Sequence, residues 1–256
     1  NVIRSIIDNQ TINVSQALTE LLQNGIDSDA ADFLSLTTTP KKTVYVDNGD
    51  LDINGRGENL ATEFGLTDKG DDEDKIGRFG IGMGQVYAHG HTVLMSGDWA
   101  LHVDVREWGI GYKKMELTNP VEGVEIHVSH YEDAVPENEY EWEKIDSELR
   151  KRVKYVHLCH EIDININGEP VNTTLTPSDA IQNVHQISHI NEHAYYGLYH
   201  SADSEVKVWS NGLYIGTKDI KGISGVIVTK KNLDVNFSRN DVKDRCPHWN
   251  TVIDDV

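Results

Sequence analysis

Apolar residues near the start of the chain recur three and four positions apart, the spacing of an α-helix. They predict an amphipathic helix over Val14–Ala30, with Ser15 as its N-cap. Glu20, Asn24 and Asp27 are spaced at i, i+4 and i+7, so they share a narrow stripe on the polar side. An ordinary solvated face has the same pattern. However, an Asn-Gly pair in mid-helix is poor helix design, and such local rule-breaking indicates a site.

Further along the chain, short β-branched and aromatic runs alternate with turn residues, the pattern of antiparallel strands. Strands are predicted at Thr43–Asp47, Thr92–Ser96, Leu101–Arg106, Gly111–Leu117 and Val124–Ser129. Helices are predicted at Glu58–Phe64, from Gly82 to Ala88 and at Glu139–His157. Hairpins are predicted at Asn167-Gly168 and Asn211-Gly212, an irregular or helical connector at Pro177–Ala194, and a β-rich region at Val206–Arg239. The chain is therefore predicted to be α+β, with one domain over residues 1–172 and a second over residues 173–256.

A chemical signal stands at the end of the first predicted strand, where Asp47-Asn48-Gly49 follows the run Thr43–Val46. Asn-Gly alone is typical of a surface turn. A carboxylate at a strand end beside a glycine can also accept hydrogen bonds from an exocyclic amine. Both interpretations remain open for this segment taken alone.

A second chemical signal is the glycine-rich stretch Ile76–Gly84, which runs directly into the apolar Val86-Tyr87-Ala88. Glycine lets the backbone approach a ligand closely, and free N–H groups in such a loop attract phosphate. The spacing differs from the dinucleotide-binding fingerprint, and no Gly-Lys-Ser/Thr of a Walker loop follows. Alone, this stretch is weak evidence for a nucleotide site.

Together and in this order, the three motifs resemble those of the GHKL superfamily. This superfamily includes type II topoisomerase ATPases, the large heat-shock ATP chaperones, MutL and MORC proteins, histidine kinases and phage-encoded members. Glu20-x-x-x-Asn24-x-x-Asp27 resembles its N-box, Asp47-Asn48-Gly49 its adenine motif, and Gly77–Gly82 its second glycine motif in a form close to the chaperone and MutL versions. The resemblance implies a Bergerat-type α/β sandwich, a mainly antiparallel sheet covered by helices on one face. A partial, β-rich, transducer-like domain would follow it.

The resemblance also implies roles for individual residues. Glu20 would be the general base that orients or deprotonates the attacking water. Asn24 would give an oxygen to magnesium, and Asp27 would support that shell or line the nucleotide pocket. Asp47 would accept the adenine amino group of ATP, and Gly49 would let the base approach.

The phosphates would be held by the glycine motif and by cations brought to it. The implied glycine-motif residues are Gly77, Phe79, Gly80, Ile81, Gly82 and Gly84. Lys69, in an expected lid over residues 55–75, would reach a phosphate when the lid closes. Arg239, in a segment that resembles the chaperones' second domain, would contact the γ-phosphate. Lys230 or Lys231 is the alternative, because the gyrase branch uses a lysine there.

The sequence departs from the family pattern at three places. Leu51 stands where a second glycine usually follows the adenine motif, and Asn240 stands where a Glu usually follows the arginine. The strand-like Gly123–Ile126 has the family's glycine but no threonine after it. One hydrogen bond near the adenine is therefore expected to be missing or replaced by another group.

Charge and composition bear on partners and location. The chain has 42 acidic and 23 basic residues, a net charge of −19, which repels the nucleic-acid backbone. Tight nucleic-acid binding by this chain is therefore not expected, since Arg150–Lys154 is its one basic run. No apolar run has membrane-spanning length, and Cys159 and Cys246 suggest a reducing compartment. We expect a cytoplasmic protein, in a cell or encoded by its virus.

His185, His189 and His193 repeat every four residues and would align on a helix. A zinc site is disfavoured because no cysteine pair or acidic general base accompanies them.

Two functions remain open. One is a slow ATPase whose nucleotide-dependent homodimerisation drives a chaperone-like or clamp-like machine acting on a protein client or other partner. The other is a module that binds ATP with little or no turnover and serves assembly or inhibition. A histidine kinase is disfavoured because no phospho-acceptor helix precedes the N-box motif.

Overall fold

The computed structural model describes residues 14–28, 31–49, 51, 82–109, 111–136, 138–172, 187–236 and 241–256. These residues form two compact units. The first takes in the described residues up to Leu149 together with Asp163–Pro170, and the second takes in Arg150–Ile162 and the described residues from Val171 onward. The boundary predicted between residues 172 and 173 stays a prediction.

The first sheet is mixed and mainly antiparallel, with six strands in the order β3-β4-β2-β1-β5-β6. Its strands are β1 (Phe33–Thr38), β2 (Lys42–Asp47), β3 (Gly90–Val103), β4 (Tyr112–His130), β5 (Asp163–Ile166) and β6 (Glu169–Asn172). The described helices of this part of the chain are α1 (Val14–Ile26), α2 (Gly82–Tyr87) and α3 (Glu139–Val153). Among the registered pairs of this sheet, β1 and β5 run parallel and the others antiparallel.

Helix α1 is buried on nearly all sides, because its polar stripe is enclosed as well as its apolar face. Leu21 and Leu22 are fully buried, and Glu20 and Asp27 are only 7% and 4% exposed. The helix ends at Ile26 rather than at Ala30. Ser15 is not an N-cap: it lies inside the helix, and its hydroxyl donates to Oε2 of Glu148 at 2.7 Å. The interpretation of the stripe as a solvated face is therefore wrong.

The four short strands predicted between Thr92 and Ser129 are two long strands, β3 and β4, interrupted by bulges beside Gly97. The rings of His91 and His102 lie 5.7 Å apart, centroid to centroid. In a straight strand, residues eleven positions apart would be about 35 Å apart. Strand β3 therefore bends sharply at the bulge, where Gly97 has φ of 54°.

The second unit contains a five-stranded sheet in the order β10-β9-β11-β8-β7. Its strands are β7 (His189–Ile190), β8 (Ala194–His200), β9 (Glu205–Ser210), β10 (Leu213–Asp219) and β11 (Ile223–Thr229), and helix α4 (Pro247–Asp254) follows them. Strands β9 and β11 pair in parallel, and the other pairs are antiparallel. One core cluster joins the sheet to α4 through Val208, Ile227 and Val252. A second sheet domain is thus present, as predicted.

The two predicted hairpin turns are confirmed. Asn167 and Gly168 have φ of 50° and 79°, and Asn211 and Gly212 have φ of 47° and 86°. Positive φ at both central residues is the geometry that favours Asn-Gly in a two-residue hairpin.

Other predicted boundaries are corrected. Helix α3 ends at Val153, and a short 3₁₀ helix, Val156–Leu158, follows it, so the charged helix does not reach His157. Of the two alternatives for the connector at Pro177–Ala194, irregular or helical, its described residues are not helical, since His189 lies in strand β7 and His193 in a bend. His185 and the predicted helix at 58–64 lie outside the described residues. Among the residues described, no cluster of three metal-ligating side chains occurs, and no helix is long and apolar enough to cross a membrane.

Candidate functional site

The carboxylate of Glu20 on α1 lies directly against Gly82, the first residue of α2. A Cβ atom built at Gly82 would lie 2.3 Å from Oε2 of Glu20 and 3.2 Å from its Cδ, much closer than real Cβ contacts allow. Helices α1 and α2 pack together, with Gly84 buried in α2. The structure therefore brings the acidic motif and the end of the glycine motif into contact, although they are far apart in sequence.

The two acids of the motif, Glu20 and Asp27, lie inside the first unit rather than on its surface. Glu20 and Asp27 are buried, and Asn24 is half-buried. A buried carboxylate is costly unless it is paired or hydrogen-bonded, so a helix seldom places two of them on one stripe without a reason in the site. An amide oxygen and carboxylate oxygens are also the donor set that a hard cation such as magnesium prefers.

Asp47 ends strand β2 and is held by two hydrogen bonds. The Tyr45 hydroxyl donates to Oδ2 at 2.6 Å, and the backbone N–H of Gly49 donates to Oδ1 at 2.8 Å. The Asp47 side chain is 5% exposed. Burial raises the pKa of Asp47, while the hydrogen bonds from Tyr45 and Gly49 oppose that rise. Asp47 is therefore a buried acid, and each of its carboxylate oxygens can still accept a further hydrogen bond.

The Tyr45 hydroxyl also explains the glycine in mid-helix. A Cβ atom built at Gly25 would lie 2.2 Å from the Tyr45 oxygen. Tyr45 is 1% exposed, and burial is the main cause that raises the pKa of its hydroxyl, followed by the Asp47 carboxylate. Helix α1 and strand β2 can pack at this distance only because position 25 has no side chain.

The loop around Asp47 is fixed by neighbouring strands. Asn48 accepts hydrogen bonds on Oδ1 from the N–H groups of Asp32 and Phe33, at 3.1 and 3.0 Å. Val124 of β4 pairs directly with Asp47. The segment Gly123–Ile126 therefore lies beside the acid, and the hydroxyl that donates to Asp47 is that of Tyr45.

Several predicted site residues lie outside the described residues: Lys69, Gly77, Phe79, Gly80, Ile81 and Arg239. The two alternative lysines are described in the second unit. Lys230 donates through Nζ to the carbonyl of Asn191 at 2.5 Å, whereas Lys231 is exposed.

Sequence reasoning did not find Tyr45 or the reason for Gly25. The available signal was that positions 45 and 47 share one face of a strand.

The fold is a GHKL-like α/β sandwich followed by a second sheet domain. Among solved structures, the chain is similar to the ATPase region of Saccharomyces cerevisiae topoisomerase II, with a TM-score of 0.65 and 12% identity. The similarity covers 94% of this chain and 82% of that one. No family model and no curated protein matches the sequence. At this identity, the likeness shows the fold alone.

Proposed function

We propose that this chain binds ATP with magnesium and hydrolyses it slowly. The observation that carries the proposal is the contact between the buried Glu20 carboxylate and Gly82, in the same unit as the buried acid Asp47. An acid at the glycine motif and a second acid at a strand end are what a nucleotide site of this fold requires at its two ends. The solved ATPase region with this fold supports the same conclusion.

At the base end of the site, Asp47 accepts a hydrogen bond from the adenine amino group. Its two oxygens offer about four lone-pair positions, of which Tyr45 and Gly49 occupy two. Gly49 is buried beside it, and a side chain at this position would meet Oγ of Ser28 at 2.5 Å and Oδ1 of Asp47 at 3.0 Å, so the glycine keeps the loop close to the acid.

At the phosphate end, Glu20 orients the attacking water and takes its proton. Gly82 and Gly84, with Gly77, Phe79, Gly80 and Ile81, hold the phosphates through the backbone. Asn24 holds magnesium, and Asp27 supports the ion's water shell or lines the pocket; when bound, the ion neutralises phosphate charge. Lys69 and Arg239 add positive charge toward the γ-phosphate.

The biological setting is proposed on the resemblance to heat-shock, MutL, gyrase-type and phage-encoded GHKL proteins. ATP drives homodimerisation or a conformational change in a chaperone-like or clamp-like machine in the cytoplasm. The machine acts on a protein client or partner, and this acidic chain does not itself bind nucleic acid tightly.

The test compares the wild-type chain with Glu20→Gln, which keeps the shape of the side chain but removes the base. We expect calorimetry to show that both bind ATP with magnesium, and phosphate release to fall at least about 100-fold in the variant. Glu143→Gln, at an exposed position of α3, is the matched control and should release phosphate like the wild type.

Each outcome has a defined meaning. Equal phosphate release by the wild type and Glu20→Gln would favour a module that binds ATP without catalysis by this residue. No binding of ATP by the wild type would overturn the proposal as a whole.

A further inference from the structure

The contact chain from Gly25 through Tyr45 to Asp47 is more constrained than core packing requires. A strand residue two positions before an acid needs only an apolar side chain to fill the core. Here it is a tyrosine whose oxygen lies 2.6 Å from Oδ2 of Asp47. The same oxygen occupies the space where any side chain at position 25 would begin. Two positions on two elements are thus adapted to a single hydroxyl group.

We propose that Tyr45 is a positioning residue, whose hydroxyl, admitted by Gly25, holds the Asp47 carboxylate in the orientation and the ionised form that accept a nucleobase amino group. This inference rests on the proposed function, because it concerns how the same site selects its base. It predicts selection for bases that present an amino hydrogen, as adenine does.

The orientation follows from the two donors. The Tyr45 hydroxyl donates to Oδ2 and the Gly49 N–H donates to Oδ1, so rotation of the carboxylate about its Cβ–Cγ bond would break both hydrogen bonds. Each oxygen keeps a further lone pair for a ligand. A fixed acceptor loses less entropy on binding than one that must first be ordered.

The ionised form follows from the balance of burial and hydrogen bonding. Burial raises the pKa of Asp47, and the Tyr45 hydroxyl is the larger of the two hydrogen-bonding causes that lower it. The strand neighbours paired with Asp47, Leu34 and Val124, carry no charge. Among the described side chains, Tyr45 is the one that hydrogen-bonds this carboxylate, and a protonated Asp47 would lose acceptor capacity toward an amine.

The test measures binding of ATP and of inosine triphosphate, whose base carries an oxygen where adenine carries the amino group. In Tyr45→Phe we expect ATP to bind about tenfold more weakly, because one charge-assisted hydrogen bond is lost. The affinity for inosine triphosphate should fall by a smaller factor, so the preference for ATP over inosine triphosphate should decrease. The pH at which ATP affinity is half lost on acidification should rise, because the Tyr45 hydroxyl no longer lowers the pKa of Asp47.

The matched control is Tyr131→Phe, since the Tyr131 hydroxyl also donates to an aspartate, Oδ1 of Asp104, at 2.8 Å in the same unit. It should leave the ATP preference and the pH midpoint unchanged. If Tyr45 had a purely structural role, its substitution would weaken the binding of both nucleotides equally and would not change the pH midpoint of ATP binding.

Gly25→Ala provides a second route, because its methyl group would displace the hydroxyl without removing it. It should reproduce the loss of preference and destabilise the fold. Adding Tyr45→Phe should relieve part of the destabilisation, since the ring atom Cζ would then lie 3.4 Å from the new Cβ, while Cδ2 of Leu34 at 3.0 Å would still have to give way. If the changes in unfolding free energy of the two single variants do not sum to that of the double variant, the contact between positions 25 and 45 is supported.

The outcomes separate this inference from the function it rests on. If the wild type binds no ATP, the proposed function fails. If the wild type binds ATP and Tyr45→Phe keeps the same preference and pH midpoint, the positioning role is overturned. Failure of Tyr45→Phe to fold, while Tyr131→Phe folds, would assign the hydroxyl to stability and overturn it as well.

Discussion

At the scale of single residues, the fit between Glu20 and Gly82 leaves no space for a methyl group. The atom nearest to a new Cβ at position 82 is the terminal Oε2 of Glu20, with its Cδ next. This end of the side chain can move when it is pushed, whereas backbone could not. A substitution at position 82 should therefore disturb the carboxylate more than the fold.

We predict that Gly82→Ala lowers phosphate release by up to about 100-fold, because the carboxylate proposed as the general base is displaced by about 1 Å. The free energy of unfolding should change by less than about 1 kcal/mol, since alanine is also the better helix former. Steady-state phosphate release and urea denaturation measure the two effects.

Gly111→Ala is the control for this prediction, because the atoms nearest to its Cβ, both of Trp108, lie at 3.3 and 3.7 Å. It should leave phosphate release at the wild-type level. Equal losses in the two variants, or a Gly82→Ala chain that unfolds before it loses turnover, would contradict the assignment of Glu20.

The sequence was sufficient to propose Glu20, Asn24, Asp27 and Asp47 as site residues, because their spacing matches ordered motifs, and their roles stay predictions. It was not sufficient to select Tyr45. An aromatic residue in a strand normally fills a core, and the position of its hydroxyl depends on how close α1 packs against β2. That distance is a tertiary quantity, and no local pattern contains it.

At the scale of elements, periodicity located α1 and β2 well, but it located the ends of elements less well. The apolar pattern was extended to Ala30, whereas the helix ends at Ile26. Strand β1 was not predicted, because its six residues show just two fully buried side chains, Leu34 and Leu36. Such a short alternation becomes distinctive only when its neighbours β2 and β5 are known.

The first of the four strands predicted in this region ended at Ser96, directly before Gly97 and Asp98. Hydrogen bonding continues through the bulge, so four predicted strands became two. A bulge and a turn favour the same residues, and the difference lies in whether the partner strand follows the bend. This information is not local to either segment.

The 3₁₀ helix Val156–Leu158 leads to a prediction about acid stability. His157 is 8% exposed, and burial lowers the pKa of its imidazole below the usual value. The unfolded chain therefore takes up a proton at higher pH than the folded chain. Stability from the neutral ring is complete above about pH 6.5 and is lost as the pH falls toward the lower folded pKa.

We expect His157→Leu to reduce this acid sensitivity. The slope of the unfolding free energy against pH should fall by at most about 1.4 kcal/mol per pH unit, the value for one proton. Urea denaturation between about pH 7 and pH 5 measures the slope. His200→Leu, at an exposed histidine, should leave the slope unchanged, and an equal effect of both variants would argue against His157.

At the scale of the whole molecule, the net charge of −19 is the dominant property. Like charges spread over a small protein repel each other and destabilise its compact state. Added salt screens this repulsion, since the Debye length falls from about 10 Å at 0.1 M to about 3 Å at 1 M.

We predict that the midpoint of thermal unfolding rises as sodium chloride is added, with most of the gain below about 0.5 M, where screening is still increasing. A differential scanning measurement at fixed pH tests this. Sucrose at equal osmolality is the control, because it is excluded from the protein surface but does not screen charge. An unfolding midpoint that stays constant or falls with salt would show that ion pairs, rather than repulsion, dominate the surface.

The contact between Gly25 and Tyr45 also has an evolutionary consequence. A side chain at position 25 should be poorly tolerated while Tyr45 is present, and loss of the hydroxyl at position 45 alone should weaken nucleotide binding, whereas a joint change removes the clash with the hydroxyl. In related chains, glycine at position 25 and tyrosine at position 45 should therefore be gained and lost as a pair. A lineage that has replaced both should bind its nucleotide with weaker discrimination between purines.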